Sequence, residues 1–502
     1  MKQGKGQGHP HPRAVPRFPQ ALSLGTVEEI FRDCVDFQSR QLFLHGDPER
    51  RVTMCYISGM AKTERINDYV LRPLAQDAML ASCSEDKLFA LLEHGALYHL
   101  SAQWRADTDS VVRELIDGGC ALFFPGKTEV LTLMVPTEEK RSVGEPENEP
   151  ALKGARDSFV ESLRTNTSLV RRRLRAPELK IREQVVGRQS LTPVDIVWLD
   201  GIADPEMVSR VEQRLEKIDI DGVEAAGALE EYLVDPWRSP FPRLPYTQRP
   251  DRFCQGLLEG RVGILCDGLP MGYLAPGTME EFFKTGQDRA FHYMVASMLS
   301  LVRYFCMGVT LLLPGLYIAL VTFHPEAIPV KLAASIVAAK AQVPFSTVFE
   351  VLTMLLAFEV LQEAGLRLPS PIGATVSILG GLVVGNAAVE ARIVSPAVLI
   401  AVAIAGIAGY TIPSQDLAGA LRLWRFLLTG SASVAGIFGL AAGCAALIYH
   451  LAGLESFGVP YLAPFTRGAQ FSGGQPDVVR PPLSQLKWRN GAVRTRNRRN
   501  QR

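Results

Sequence analysis

From Tyr304 to Phe323 the chain runs twenty residues without a charge, Tyr-Phe-Cys-Met-Gly-Val-Thr-Leu-Leu-Leu-Pro-Gly-Leu-Tyr-Ile-Ala-Leu-Val-Thr-Phe. As a helix rising about 1.5 Å per residue it would cover roughly 30 Å, the hydrocarbon thickness of a bilayer. Pro314-Gly315 near its middle would stop a helix in water. A membrane helix tolerates the break as a kink, which makes Pro314 a candidate gating position. Further apolar spans are expected at 372–391, 394–413 and 426–451. In each, small residues recur every fourth position: Ser377, Gly381 and Gly385; Ala401, Ala405 and Gly409; Ser431, Ala435, Gly439 and Gly443. Such ridges let helix backbones approach closely, within one bundle or between subunits.

The stretch 328–368 is apolar but carries Lys331, Lys340, Glu350, Glu359, Glu363 and Arg367, with Pro344 dividing it. On a helix Glu359 and Glu363 share a side, and Glu363 and Arg367 are one turn apart. Charge within a membrane segment is costly unless it faces water, protein or an opposite charge. Either this segment lies at the interface with its acids solvated, or it spans and turns Glu359 and Glu363 to a polar path. Asn386 and Glu390, one turn apart, repeat the pattern beside Arg392.

The first 290 or so residues hold no comparable run. From Thr26 they read as a soluble α/β chain, with strands over 41–45, 52–57, 120–124 and 129–135 and helices near 64–75 and 84–95. A segment rich in Glu, Pro and Gly (137–150) breaks the pattern. A second α/β unit has a strand over 194–199, a helix from Asp204-Pro205 to about Lys217, a helix over 223–234 and a strand over 262–266. Asp267-Gly268 then reads as a turn. The expected fold class is therefore an α/β soluble N-terminal region of two small subdomains followed by an α-helical multi-pass membrane domain of four to five transmembrane helices. The expected boundaries are a disordered arm 1–25, subdomain 1 at 26–136, a linker 137–156, subdomain 2 at 157–238, a juxtamembrane coupling segment 239–294, a helical membrane domain 295–465 and a basic tail 466–502.

Net charge is +1 over 502 residues, so nothing draws the chain as a whole to nucleic acid. Basic residues are local, at Arg171–Arg175 and in the tail. The eight cysteines form no C-x-x-C pair, which argues against a zinc site or a disulfide framework. His9 and His11 have no further ligand cluster beside them. No Walker loop, dinucleotide fingerprint, G-x-S-x-G or H-E-x-x-H is present, so neither an enzyme nor a cofactor or metal is expected. Arg303, Arg367, Arg422 and Arg425 share one side of the membrane if the Glu-bearing segment crosses. Five crossings would then leave the soluble half in the cytoplasm and the basic tail outside, against the same rule, unless Leu454 to Pro464 forms a re-entrant turn.

Several segments together, Phe241-Pro-Arg-Leu-Pro-Tyr-Thr-Gln-Arg-Pro-Asp251, Leu258 to Pro270, Phe323-His-Pro-Glu-Ala-Ile-Pro329, Phe358-Glu-Val-Leu-Gln-Glu-Ala-Gly-Leu-Arg-Leu-Pro369 and His450 to Tyr461, resemble the A subunits of bacterial spore germinant receptors, the GerA family. The resemblance runs in order from about 154 to 490. It implies an integral protein of the spore inner membrane. It also implies work beside a transporter-like B subunit and a lipoprotein C subunit, in a complex that senses nutrients and releases ions. A subunits of the family are thought to oligomerise as the conducting part. Gln248 and Gln362 stand where the family has Glu and Arg, which removes charge partners. On this basis the expected ion pathway or gating positions are Glu350, Glu359, Glu363, Asn386, Glu390 and Pro314. Arg249, Pro250, Asp251, Arg303 and Arg367 are expected to couple the soluble part to the membrane, and Gly381, Gly385, Gly439 and Gly443 to pack helices. The rival readings are a secondary transporter of a small nutrient such as an amino acid, and a non-conducting membrane scaffold.

Overall fold

A computed structural model describes residues 17–44, 47, 50–76, 85–93, 102–137, 146, 149, 153–223, 225–234, 239–367, 385–463, 465 and 478–500. The chain divides into an α/β unit (Met1–Leu233, Tyr246–Ala275 and Val493–Arg498) and a helical unit (Val234–Pro245, Pro276–Ala492 and Arg499–Arg502). The segment 239–294, expected as one coupling element, is thus divided. Tyr246–Ala275 supplies strands that the second lobe's sheet needs, and Val493–Arg498 of the expected tail also belongs to the α/β unit.

The α/β unit has two lobes. In the first, α1 (Leu24–Ile30) precedes β1 (Phe37–Phe43) and β2 (Arg51–Ile57). Then come short helical turns from Thr63 to Gln76, α2 (Glu85–Glu93), β3 (Gln103–Arg105), α3 (Thr108–Ile116), β4 (Gly119–Phe123) and β5 (Val130–Met134). The second lobe runs α4 (Leu163–Arg173), β6 (Leu179–Val186), β7 (Thr192–Leu199), α5 (Pro205–Glu216), α6 (Ala226–Leu233), β8 (Tyr246–Thr247), α7 (Pro250–Leu258), β9 (Val262–Cys266) and β10 (Gly272–Ala275). The antiparallel sheets are ordered β1-β2-β4-β5-β3 and β6-β7-β9-β10-β8. Renumbered from each lobe's first strand, these orders are the same, so the second lobe repeats the topology of the first. The sequence shows no matching repeat, because side-chain alternation on a sheet constrains polarity and leaves identity free.

Local chemistry sets several boundaries. Asp204 caps α5, accepting from the Glu206 amide at 3.1 Å, with Pro205 in the first turn. Asp107 likewise caps α3, accepting from Ser110 at 2.8 Å. Asp267-Gly268 is a turn between β9 and β10: Gly268 has φ +82°, and Asp267 accepts from the Leu163 amide at 3.0 Å.

α4 joins the lobes. Arg171, fully buried, grips Asp36 of the first lobe with Nε to Oδ2 at 2.6 Å and Nη2 to Oδ1 at 2.8 Å. Burial alone would lower the Arg171 pKa; the Asp36 charge and hydrogen bonds outweigh it and raise it. Backbone bonds Val35 N to Ile181 O (2.9 Å) and Ile181 N to Asp33 O (3.0 Å) extend the second sheet by one short segment of the first lobe. Gly59, at φ +79°, packs against α4, where a Cβ would lie 3.3 Å from the Arg164 carbonyl oxygen.

Burial pushes the Cys55, Cys120, Cys254 and Cys266 thiols up to about 12, and every described cysteine is free. These are core residues without thiolate reactivity.

The helical unit holds α8 (Tyr293–Ile318), continued by a π turn Ala319–Phe323, then α9 (Val330–Lys340), α10 (Thr347–Arg367), α11 (Pro396–Gly409) and α12 (Gln415–Ala452). Among the described residues two helices are long and apolar enough to cross a membrane, Tyr293–Phe323 and Gln415–Ala452. Pro344 does divide 328–368, separating α9 from α10. The expected span at 372–391 falls mostly outside the described residues, as do Ser377 and Gly381.

α12 is not one straight rod. Ala435 (φ −132°, ψ 18°) and Gly436 (φ 60°, ψ −138°) leave the helical region, and the chain turns back on itself. Trp424 and His450 lie 26 positions apart, about 39 Å in a continuous helix. Their ring centroids are 5.6 Å apart. A Cβ on Gly439 would lie 2.0 Å from the Ser431 carbonyl oxygen, and one on Gly443 would lie 2.7 Å from Leu428 Cδ2. The single span expected at 426–451 is therefore a helical hairpin with its tip at Ala435-Gly436. The tip packs on the end of α8, where a Cβ on Gly436 would meet Phe323 at 2.9 Å and His324 Nε2 at 3.3 Å.

Candidate functional site

Among the described residues of the helical unit, Glu359 and Glu350 each centre an interhelix cluster. The first joins α10 to the open end of the α12 hairpin. Glu359 accepts from Arg425 Nη2 through Oε1 and from Arg422 Nη1 through Oε2 at 3.3 Å, and Arg422 also reaches Gln362 Oε1 at 3.2 Å. Arg425 is 3% exposed and Glu359 is half-buried, so one acid sits between two guanidinium groups at the edge of the helix packing. Glu363, one turn on, is exposed. Arg367 ends α10, and its side chain lies outside the described residues.

The second cluster joins α9, α10 and α11. Glu350 is buried, with Oε1 3.2 Å from Lys340 Nζ and Oε2 accepting from the Ser395 amide at 2.7 Å. Lys340 also donates to Thr347 Oγ1. Ser395 is the N-cap residue of α11, so the Glu350 carboxylate faces the positive end of that helix. Both carboxylates therefore have cationic or amide partners on neighbouring helices. Asn386 and Glu390 are exposed on a short helical stretch, 385–390, and join neither cluster. Gly385 packs on Leu399, where a Cβ would lie 3.3 Å from Leu399 Cδ1.

Pro314 is buried inside α8, and the helix continues past it to Ile318. Gly315 beside it faces both arms of the hairpin: a Cβ there would lie 3.1 Å from Leu440 Cδ1 and 3.3 Å from Ala432 Cβ. The small-residue positions Gly439 and Gly443 sit where the two arms meet.

Of the residues expected to couple the units, Arg249, Asp251 and Arg303 make bonds inside their own unit. In the α/β unit, Arg249 forks onto Asp251 (Nε to Oδ1 3.0 Å, Nη2 to Oδ2 2.7 Å), and Arg252 and Thr247 hold Glu149 of the linker. Burial pushes the Asp251 carboxyl up, but Arg249 outweighs it and holds the pKa below the usual carboxylate range. Pro250 opens α7 at its first turn. In the helical unit, Arg303 forks onto Asp288 at 2.7 and 2.9 Å and donates to the Phe283 carbonyl at 2.9 Å.

Sequence reasoning did not join Glu359 to Arg422 and Arg425, or Glu350 to Lys340. A usable signal was present: an apolar helix that carries an acid needs a cation on a facing helix, and these were the cations nearest the other spans.

The Bacillus/Clostridium GerA spore germination protein model matches residues 25–492. The chain belongs to this family. It is 37% identical over 451 residues to spore germination protein KA of Bacillus subtilis (strain 168), covering 89% of this chain and 81% of that one. It is 40% identical over 415 residues to the uncharacterized membrane protein YfkQ of the same organism, covering 82% and 80%. The crystal structure of the N-terminal domain of the A subunit of the Bacillus megaterium spore germinant receptor GerK3 aligns at 27% identity and a TM-score of 0.40. It covers 50% of this chain and 92% of that one. The GerA assignment fits a helical unit built on long apolar helices.

Proposed function

We propose that this GerA-family chain is the A subunit of a nutrient germinant receptor in the spore inner membrane. In this reading copies of it oligomerise to form or gate the ion-conducting part, beside a transporter-like B subunit and a lipoprotein C subunit. The observation that carries the reading is the pairing of Glu359 with the buried Arg425 and with Arg422, which ties α10 to the α12 hairpin. Such a pair adds little net stability over an apolar contact of the same shape. Its value lies in being a contact that is either made or broken, as a gate needs. The outward faces of the helices support oligomerisation. Phe305, Val434, Phe438 and Tyr449 are 73–84% exposed and need lipid or a second copy against them.

The test is nutrient-triggered cation release from spores carrying Glu359→Gln, Arg425→Gln or both, at matched protein level. Each single replacement is expected to change release at least several-fold, and the double replacement to move it back toward wild type. Release unchanged by the singles would refute the gating role.

A further inference from the structure

We propose that Asp195, Glu183 and Arg164 form a proton-binding site that sets how tightly α4 holds the two lobes of the α/β unit together. Asp195 lies on β7, an inner strand between β6 and β9, turned toward the helices, and is fully buried. In the first lobe β2 occupies the corresponding place and turns Cys55 and Ile57 to its helices. The fold therefore does not require a charge there.

Asp195 stands directly opposite Glu183 in the β6–β7 register, so two carboxylates share one face. One arginine serves both. Arg164 gives Nη2 to Glu183, while its Nη1 stays 3.5 Å from Asp195 Oδ2 and makes no hydrogen bond. Asp195 Oδ1 has no hydrogen-bond partner. Thr167 Oγ1 is 3.1 Å from Asp195 Oδ2 and 2.8 Å from the Leu163 carbonyl oxygen. A hydroxyl has one hydrogen to donate. If it goes to the nearer carbonyl, the Asp195–Thr167 contact needs a hydrogen from the carboxyl, and only protonated Asp195 supplies one.

The remaining surroundings favour the same state. From β9, Leu265 is the register partner of Asp195, and α7 packs Phe253, Cys254 and Leu257 on this face. Arg171, further along α4, is occupied by Asp36. Burial first, with the Glu183 and Asp36 charges adding, pushes the Asp195 carboxyl up to about 7, against the opposing pull of Arg164 and Thr167. α4 also bears the Gly59 packing and the Arg171–Asp36 fork, so a charge forced under it strains the contact between lobes.

The sign follows from linkage. With the folded pKa raised, the closed form holds a proton that the opened form gives up to water. Opening of α4 then grows roughly tenfold per pH unit from about pH 4 to about pH 7 and levels off above. The experiment is hydrogen exchange by mass spectrometry on the full chain in detergent, with peptides covering 163–173 corrected for intrinsic exchange. Wild type is expected to lose protection at least a hundredfold between about pH 4.5 and pH 7, and Asp195→Asn to lose none of it. Glu183→Gln, which frees Arg164 for Asp195, is expected to move the plateau to lower pH. It serves as the test if Asp195→Asn does not fold. A flat wild-type profile, an Asp195→Asn slope equal to wild type, or an unmoved Glu183→Gln plateau would each overturn the proposal.

Discussion

A hairpin in α12 can be separated from a straight helix by two alanines. Gly430 and Gly439 both lie in the same small-residue run, and in a single unpartnered helix either substitution to alanine should stabilise by up to about 1 kcal/mol. In the structure nothing lies within 4 Å of a Cβ at Gly430, whereas a Cβ at Gly439 would be 2.0 Å from the Ser431 carbonyl oxygen of the opposing arm. Heavy atoms cannot approach so closely, so the arms must part by about 1 Å or more, and both backbones are rigid helix. Overpacking of this kind costs about 1–3 kcal/mol. Gly430→Ala and Gly439→Ala should therefore differ by about 2–4 kcal/mol, with opposite signs. The assay is unfolding of the purified chain in detergent, read by the order of the transition midpoints. A second reading comes from Trp424→Cys/His450→Cys joined by a short bifunctional maleimide. The rings at these positions are 5.6 Å apart, and a straight helix would keep the sites beyond such a linker. Equal midpoints for the two alanines, together with no cross-link, would refute the hairpin.

Two further outcomes are expected. Arg171→Met should destabilise the α/β unit by about 3–5 kcal/mol, because it leaves Asp36 buried without its partner, and adding Asp36→Leu should recover most of the loss in the same thermal melt. In sealed vesicles, cysteines replacing the exposed Gln415 and Glu455, at the two ends of α12, should be labelled by an impermeant thiol reagent from the same side, and protection of one with labelling of the other would contradict the hairpin.

Much of the α/β unit was legible because its signals are local. β7 shows as an apolar run, α5 as an Asp-Pro start, and Asp267-Gly268 as a turn. β1 begins at Phe37, four residues before the expected 41–45, because Phe37-Gln-Ser-Arg carries polar residues that only pairing with β2 explains. The break in α12 was not legible for a different reason. Ala435 and Gly436 sit inside a four-residue periodicity that a straight helix satisfies equally well, and glycine is tolerated within membrane helices. What fixes the turn is contact between residues far apart in sequence, Gly439 with Ser431 and Trp424 with His450. Glu359 was recognised as a residue needing a partner, but naming Arg425 required knowing that the hairpin brings its open end beside α10.

The hairpin also removes a contradiction in the placement of charge. Counted as one crossing, α12 would carry the basic tail to the side opposite Arg303, Arg422 and Arg425, against the preference of basic residues for one face. Counted as a hairpin, it returns the chain to the side it came from. α8 leads from the Arg303–Asp288 fork out to Phe323, which meets the hairpin tip, and α10 returns from Glu350 to Glu359, beside the hairpin's open end. α11 starts at Ser395, bonded to Glu350, and leads to Ile412, which packs in one cluster with Phe283, Leu417 and Tyr461. The tail then continues to Thr495 and Arg496, and Arg496 donates to the Ile202 carbonyl of the α/β unit at 3.0 Å. Val493–Arg498 thus folds with the α/β unit, and a hairpin, unlike a single crossing, leaves the chain on the side of Arg422 from which α12 sets out.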